Sequence, residues 1–228
     1  MLEIIATNLT DVKDAERYGA DRIELSPAMS ELGITPSYGL IQAAVESVRI
    51  PINVIIRPHS QSFVYNADDL EVMKRDIKMV KKLGANGIVV GALTKEGAVD
   101  IEFISNLLEV ADGLEVTIHR AFDFSRNQIE ALESLKQVPE ITTILTAGGN
   151  YNAPEAVEQI NELIDMASRT HLSIMVGHGL RVDSFEKFFQ STKPDFVHFG
   201  SGARKNDSFD YGLDETKIKT IKEIIAST

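Results

Sequence analysis

Cysteine is absent from all 228 residues. That gap excludes disulfide bonds, thiolate zinc sites and a cysteine nucleophile. Long apolar runs are missing too: "INVII" (Ile52 to Ile56) and "GIVVGAL" (Gly87 to Leu93) fall far short of the roughly 20 residues a membrane-spanning helix needs. No membrane partner is expected. Basic runs are likewise lacking. With 23 Lys and Arg against 34 Asp and Glu, the net charge of −11 repels phosphate backbones and makes nucleic acid an unsuitable partner. A small anion stays open as a ligand, because local arginines and backbone amides decide that contact. The opening "MLEIIATN" has an acid at position 3 and neither the basic region nor the cleavage site of a secretory signal, so a cytoplasmic location is expected.

What is present is a chain with 43% hydrophobic residues, enough to bury a sizeable core. Short β-rich runs alternate with longer segments of helical period, at roughly 28 residues per unit. Strands are predicted near Leu2 to Ala6, Arg22 to Leu25, Ile52 to Arg57, Gly87 to Val90, Leu114 to His119, Thr142 to Thr146, Leu172 to Val176 and Phe196 to Phe199. Helices fill the gaps. Thr35 followed by Pro36 reads as the start of a helix through Val48, and Asn66 with Asp68 and Asp69 opens one through Leu83. Gly19 and Gly84 follow their helices as C-terminal caps, and a short helix is expected over Asp183 to Gln190. Eight such units in succession close most economically into a single-domain (β/α)8 TIM barrel over residues 1–228. An open doubly wound sheet would want a glycine-rich turn after the first strand, which "ATNLTD" does not offer.

Strand side chains alternate between two faces, so each strand divides into two sets. Leu2, Ile4 and Ala6 oppose Glu3 and Thr7. Ile23 and Leu25 oppose Arg22, Glu24 and Ser26. Ile52, Val54 and Ile56 oppose Asn53, Arg57 and His59; Leu114, Val116 and Ile118 oppose Glu115, Thr117 and His119; Val197 and Phe199 oppose His198. The apolar sets are expected to face the helices and the polar sets the barrel interior. Carboxylates, arginines and histidines inside a barrel need partners or a purpose: either a satisfied buried network or a site. Of the five histidines, His59, His119, His178 and His198 fall at or just past strand ends, where barrel enzymes carry their chemistry.

Glycine adds a second signal. "TAGGN" (with Gly148 and Gly149), "GHGLR" (Gly177 and Gly179) and "GSGARK" (Gly200 and Gly202) follow the last three strands, where backbone amides can approach a phosphate or carboxylate, although short turns also require glycine. The stretch "VTIHRAFD" gathers His119, Arg120 and Asp123 at one strand end. His119 is the leading candidate for a general acid or base or a metal ligand, and Asp123 either orients its neighbours or caps the next helix.

The segments "GADRIELS", "GITPSYG", "IPINVIIRP", "GIVVGALTKEGAVD" and "VTIHRAFD", in that order, resemble the hallmarks of the CutC copper-homeostasis family. The resemblance implies a cytoplasmic (β/α)8 barrel, homo-oligomeric as a dimer or tetramer, and a link to copper handling. It carries onto Glu3, Glu24, Arg57, His119, Arg120 and Asp123, and more loosely onto His198. It implies copper(I) as a ligand, with His119 and His198 as its protein donors. Many relatives have cysteines where this chain has Ile5, Ala6 and Ser26, and an Arg-Gly-Gly-Asp run where it reads "HSQS". Cuprous copper favours soft ligands, and here imidazoles and six methionines, Met29 and Met175 among them, are the substitutes. The alternative is a lyase or isomerase acting on a small phosphate or carboxylate. Arg57 and Arg120 would clamp its charge, Glu24 or His119 would move protons, and the glycine loops would hold the anion.

Overall fold

Strand parity sorts the side chains of the structure, a computed structural model describing residues 1–149 and 152–227. The strands are β1 (Leu2–Ala6), β2 (Arg22–Leu25), β3 (Ile52–Ile55), β4 (Gly87–Val90), β5 (Glu115–Ile118), β6 (Thr143–Thr146), β7 (Ser173–Gly177) and β8 (Phe196–Phe199). The helices are α1 (Leu9–Tyr18), α2 (Tyr38–Ser47), α3 (Ala67–Leu83), α4 (Ile101–Ala111), α5 (Gln128–Leu135), α6 (Val157–Ala167), α7 (Val182–Thr192) and α8 (Glu215–Ser227). Neighbouring strands pair in parallel, and β1 pairs with both β2 and β8, so the sheet closes into a (β/α)8 barrel. No described helix is long and apolar enough to cross a membrane.

The outward strand residues, among them Ile4, Ile23, Val54 and Val197, join helix residues such as Val12, Ile77, Leu107 and Phe185 in one buried apolar layer. Burying such side chains contributes about 1.5–3 kcal/mol each, which is what holds the helices to the barrel. The inward set is mixed. Glu3, Arg22, Glu24, Asn53, Arg57, Thr117, His119 and His198 are buried there beside Ile5, Ile55, Val89, Leu145 and Met175, which lie outside the helix-facing layer.

Several element ends follow directly from local chemistry. Asn66 accepts from the amides of Asp68 and Asp69 while the Asp69 carboxylate takes the Asn66 N–H, a reciprocal capping box that satisfies amides at the start of α3. Gly19 and Gly84 close α1 and α3 in the left-handed region. The start of α2 differs from expectation. The Thr35 hydroxyl is engaged at 2.9 Å by the Arg57 N–H, so Ser37 caps the helix instead, accepting from Leu40 at 3.3 Å. The helix expected over Asp183 to Gln190 extends to Val182–Thr192, carried by Phe185, Phe188 and Phe189 on its buried face.

One buried ion pair joins the two ends of the chain. Arg204, beyond β8, donates to Asp11 of α1 at 2.7 Å and to the Ile5 carbonyl at 3.0 Å. Its guanidinium lies over the Phe209 ring at 4.9 Å.

Candidate active site at the barrel mouth

Glu3 sits at the centre of the barrel's polar interior. Its Oε2 accepts from Arg22 Nε at 2.5 Å, and its Oε1 faces His198 Nδ1 at 2.7 Å. Arg22 is itself held by Met175 Sδ and Glu115, which anchors this layer near the strand starts. Burial opposes ionisation of Glu3, but Arg22 and His198 together hold its carboxyl below the ordinary value. Burial and Arg22 oppose a charge on His198, but its hydrogen bond to Glu3 and the charges of Glu24 and Glu3 raise it above its ordinary value.

Glu24 is treated differently by its surroundings. Its Oε2 is buried without a hydrogen-bond partner and lies 3.7 Å from His198 Nδ1. Burial, with the charge of Glu3 adding to it, pushes the Glu24 carboxyl up to about 7 in spite of His198. A carboxyl poised there exchanges a proton readily near neutrality.

His119 follows β5. Its Nδ1 accepts the Ala121 N–H at 3.1 Å, which leaves the ring proton on Nε2, an atom buried without a partner. Burial, and then the nearby Arg57 charge, lower its pKa to about 3. His119 is therefore a neutral hydrogen-bond donor at ordinary pH rather than a cation. The ring fits because β4 is followed by Gly91: a β-carbon there would lie 2.7 Å from His119 Cε1 and Nδ1.

Both residues line a cavity at the mouth enclosing about 820 Å³ of space, part of it open to solvent. Ile5, Ile55 and Leu145 belong to its wall with His198, and the loops add Met29, Leu32, Phe63, Phe124 and His178. The aromatic wall was not foreseen from sequence. Phe63 comes from the loop containing "HSQS" and packs on His119 with ring centroids 5.1 Å apart. Phe124 directly follows "VTIHRAFD" and packs on Phe63 at 5.4 Å. An inward-parity signal marks Ile5, Ile55 and Leu145, but no local signal marks Phe63.

The remaining candidates divide by what they touch. Arg57 lies beyond β3 and is absent from the cavity wall; its Nη1 donates to the carbonyls of Glu31 and Gly33, and its guanidinium lies 5.0 Å over Phe63. It ties the end of the Met29–Glu31 turn to the chain that follows β3. Arg120 lines the cavity and donates Nε to Asp123 Oδ2 at 2.8 Å. Asp123 is saturated: Thr146, Gln128 and the amides of Ala147 and Gly149 all donate to it. It orients Arg120, while Asn127 caps α5. His59 faces Asp69 at 3.4 Å, away from this group.

The glycines also separate. The amides of Gly148 and Gly149 are engaged by Thr146 and Asp123, and Asn150 of the same motif lies outside the described residues. Gly177 leaves room for the His198 ring, where a β-carbon would lie 2.9 Å from Cδ2. Gly179, Gly200 and Gly202 line the cavity.

Among the described residues, one group of acidic and histidine donors comes close enough to hold a metal: Glu3, Glu24 and His198, with ligand atoms within 4.8 Å of one another. His119 is not part of it. Two carboxylates and an imidazole suit a hard or borderline cation, and among the described residues Met29 is the only sulfur on the cavity wall, so this donor set does not fit cuprous copper.

Three kinds of comparison bear on this geometry. The family model described as "CutC family" matches residues 1–203. A CutC family protein of Pasteurella multocida is 37% identical over 207 residues, 90% of this chain and 84% of its own length. A human protein named as a copper homeostasis protein cutC homolog is 35% identical over 211 residues, 92% of this chain and 77% of its own. The solved structure of a Streptococcus agalactiae protein, described as a candidate copper homeostasis protein CutC, superposes with a TM-score of 0.81 at 32% identity, covering 88% of this chain and 97% of that one. A phosphoribosylanthranilate isomerase of Thermotoga maritima superposes over 100% of this chain and 98% of its own with a TM-score of 0.63 at 14% identity, a likeness of fold alone. By sequence and by fold, this chain is a member of the CutC family.

Proposed function

We propose that this chain is an acid–base enzyme acting on a small organic anion, and that its part in copper homeostasis is indirect. The carrying observation is the pair of buried polar atoms without partners, Glu24 Oε2 and His119 Nε2, belonging to two residues of one cavity wall. Leaving such groups unsatisfied costs about 1–3 kcal/mol each, and a substrate that pairs with both recovers that cost. Glu24 then accepts or returns a proton, and the neutral His119 N–H donates to an oxygen that gains negative charge. Such roles serve isomerisation or elimination next to a carbonyl, without a redox cofactor.

The link to copper is taken from the names of the relatives. The donors around His198 argue against tight cuprous binding, so copper is proposed as a beneficiary of the chemistry rather than a ligand. Cytoplasmic residence and assembly into dimers or tetramers belong to the same proposal.

The test is to incubate the protein in D2O with mixtures of small organic acids and phosphate esters and follow carbon-bound hydrogens by NMR. Exchange or conversion that Glu24→Gln and His119→Ala each reduce at least 100-fold is expected. An anaerobic cuprous-ion competition titration gives the opposing result: tight stoichiometric binding lost in His119→Ala or His198→Ala, with no exchange, would replace this reading by a direct copper site.

A further inference from the structure

Arg120 presents an unused half. Its Nε is committed to Asp123, and its terminal Nη groups have no hydrogen-bond partner among the described residues, although the side chain lines the cavity. Because Asp123 is locked by four other donors, including the amides of Ala147 and Gly149, the guanidinium is held in place before any ligand arrives. Preorganised guanidinium forks are well suited to carboxylate and phosphate oxygens.

His178 shares that side of the mouth. It is a cavity-lining residue with φ of 73°, a left-handed conformation that a non-glycine side chain adopts at a cost. Arg120 lines the same cavity, and partial burial and then the Arg120 charge lower the His178 pKa, with Asp123 opposing. Strain of this kind persists where the position of a side chain is needed.

The other half of the mouth is apolar. Leu32 and Phe124 line the cavity yet remain 49% and 44% exposed, and Phe63 lies behind Phe124. Large apolar side chains left uncovered beside a cavity mark a contact surface for something apolar.

We propose that the substrate is an amphipathic anion: a carboxylate or phosphate ester on an aromatic or branched apolar body, with its anionic group on Arg120 and His178 and its body against Leu32, Phe63 and Phe124. This deepens the acid–base reading and rests on it for the identity of the cavity as a substrate site. It also moves the charge clamp from Arg57, whose Nη1 is spent on the Glu31 and Gly33 carbonyls, to Arg120.

The experiment is calorimetric titration of the full chain with four probes: phenyl phosphate, phenylacetate, inorganic phosphate and benzyl alcohol. At least one of the two amphipathic anions is expected to bind saturably and at least tenfold tighter than both inorganic phosphate and benzyl alcohol. Arg120→Met is expected to weaken that binding at least tenfold. His178→Gly relieves the left-handed strain and so retains the fold, and it is expected to weaken binding several-fold through loss of the imidazole alone. Binding of neither amphipathic anion, equal affinity for inorganic phosphate, or unchanged affinity in both variants overturns the proposal. If Arg120→Met fails to fold, the His178→Gly titration decides. The D2O experiment reads proton transfer and this one reads binding. Intact anion binding without exchange therefore overturns only the acid–base reading, and exchange without the Arg120 dependence overturns only this placement.

Discussion

Glu24 and His119 are both buried and titratable, and their environments push them in opposite senses, which gives a measurable signature. Glu24 has a folded pKa of about 7 against an ordinary 4.5, so the folded state holds the extra proton between those values and stability falls as pH rises through that window. His119 has a folded pKa of about 3 against an ordinary 6.5, so the unfolded state takes the proton and stability falls as pH drops through its window. In the wild type the two trends oppose each other across the overlap. Relative to wild type, Glu24→Gln is expected to gain stability as pH rises from 4.5 to about 7, and His119→Gln to lose it as pH rises from about 3 to 6.5. The slope for either is at most about 1.4 kcal/mol per pH unit, read from urea unfolding at a series of pH values. Slopes of the same sign in the two variants would contradict the assignment. Glu3, His198, Arg22 and Arg57 face these two groups and are retained in both variants; because the Glu24 charge raises His198, the Glu24→Gln difference includes a His198 response, and that response has the same sign.

At the scale of elements, the strand ends need glycine where the site needs volume. Gly91→Ala would place a β-carbon against the His119 ring and disturb its bond to the Ala121 amide. Overpacking of this sort costs about 1–3 kcal/mol. Gly212→Ala, where nothing lies within 4 Å of the added carbon, is expected to change stability little. Urea midpoints of the two variants give the comparison. Parity along the strands makes the inward polar set legible in the sequence, and the caps at Asn66, Gly19 and Gly84 are legible because each rests on contacts within a few residues. What was not legible depends on reach. Arg57 returns to carbonyls more than twenty positions earlier in the chain. In doing so the same residue occupies the Thr35 hydroxyl and shifts the start of α2. Phe63 enters the cavity from the loop "HSQSFVYN", whose letters carry no strand or helix period that would fix where its aromatic side chains point. That Glu24 Oε2 lacks a hydrogen-bond partner follows from Glu3 having taken both Arg22 and His198, a competition among three strands.

For the molecule as a whole, closure of the barrel depends on joining first and last elements. Besides the β1 to β8 pairing, that joint contains the buried Arg204 and Asp11 pair, with the guanidinium also holding the Ile5 carbonyl. Removing one member strands the other charge in the interior, so Asp11→Ala and Arg204→Met are each expected to cost about 3–5 kcal/mol. The double variant should recover part of that loss, and chemical denaturation of the four proteins measures it. A single variant within about 1 kcal/mol of wild type would show that water reaches the pair and screens it.

The alternation of faces along the strands has a consequence for how such a protein changes over generations. Architecture and chemistry are written on interleaved letters of the same eight short words. Outward letters can be exchanged among aliphatics, and inward letters can be redrawn for another ligand, each with little effect on the other set. Substitution is thus a gentle editor here. Losing or gaining one residue within β2 is a harsh one, because it would turn Glu24 toward the helices and Leu25 into the cavity at a single stroke. Variation tolerated by this barrel should therefore be rich in point replacements and almost free of length changes inside the strands.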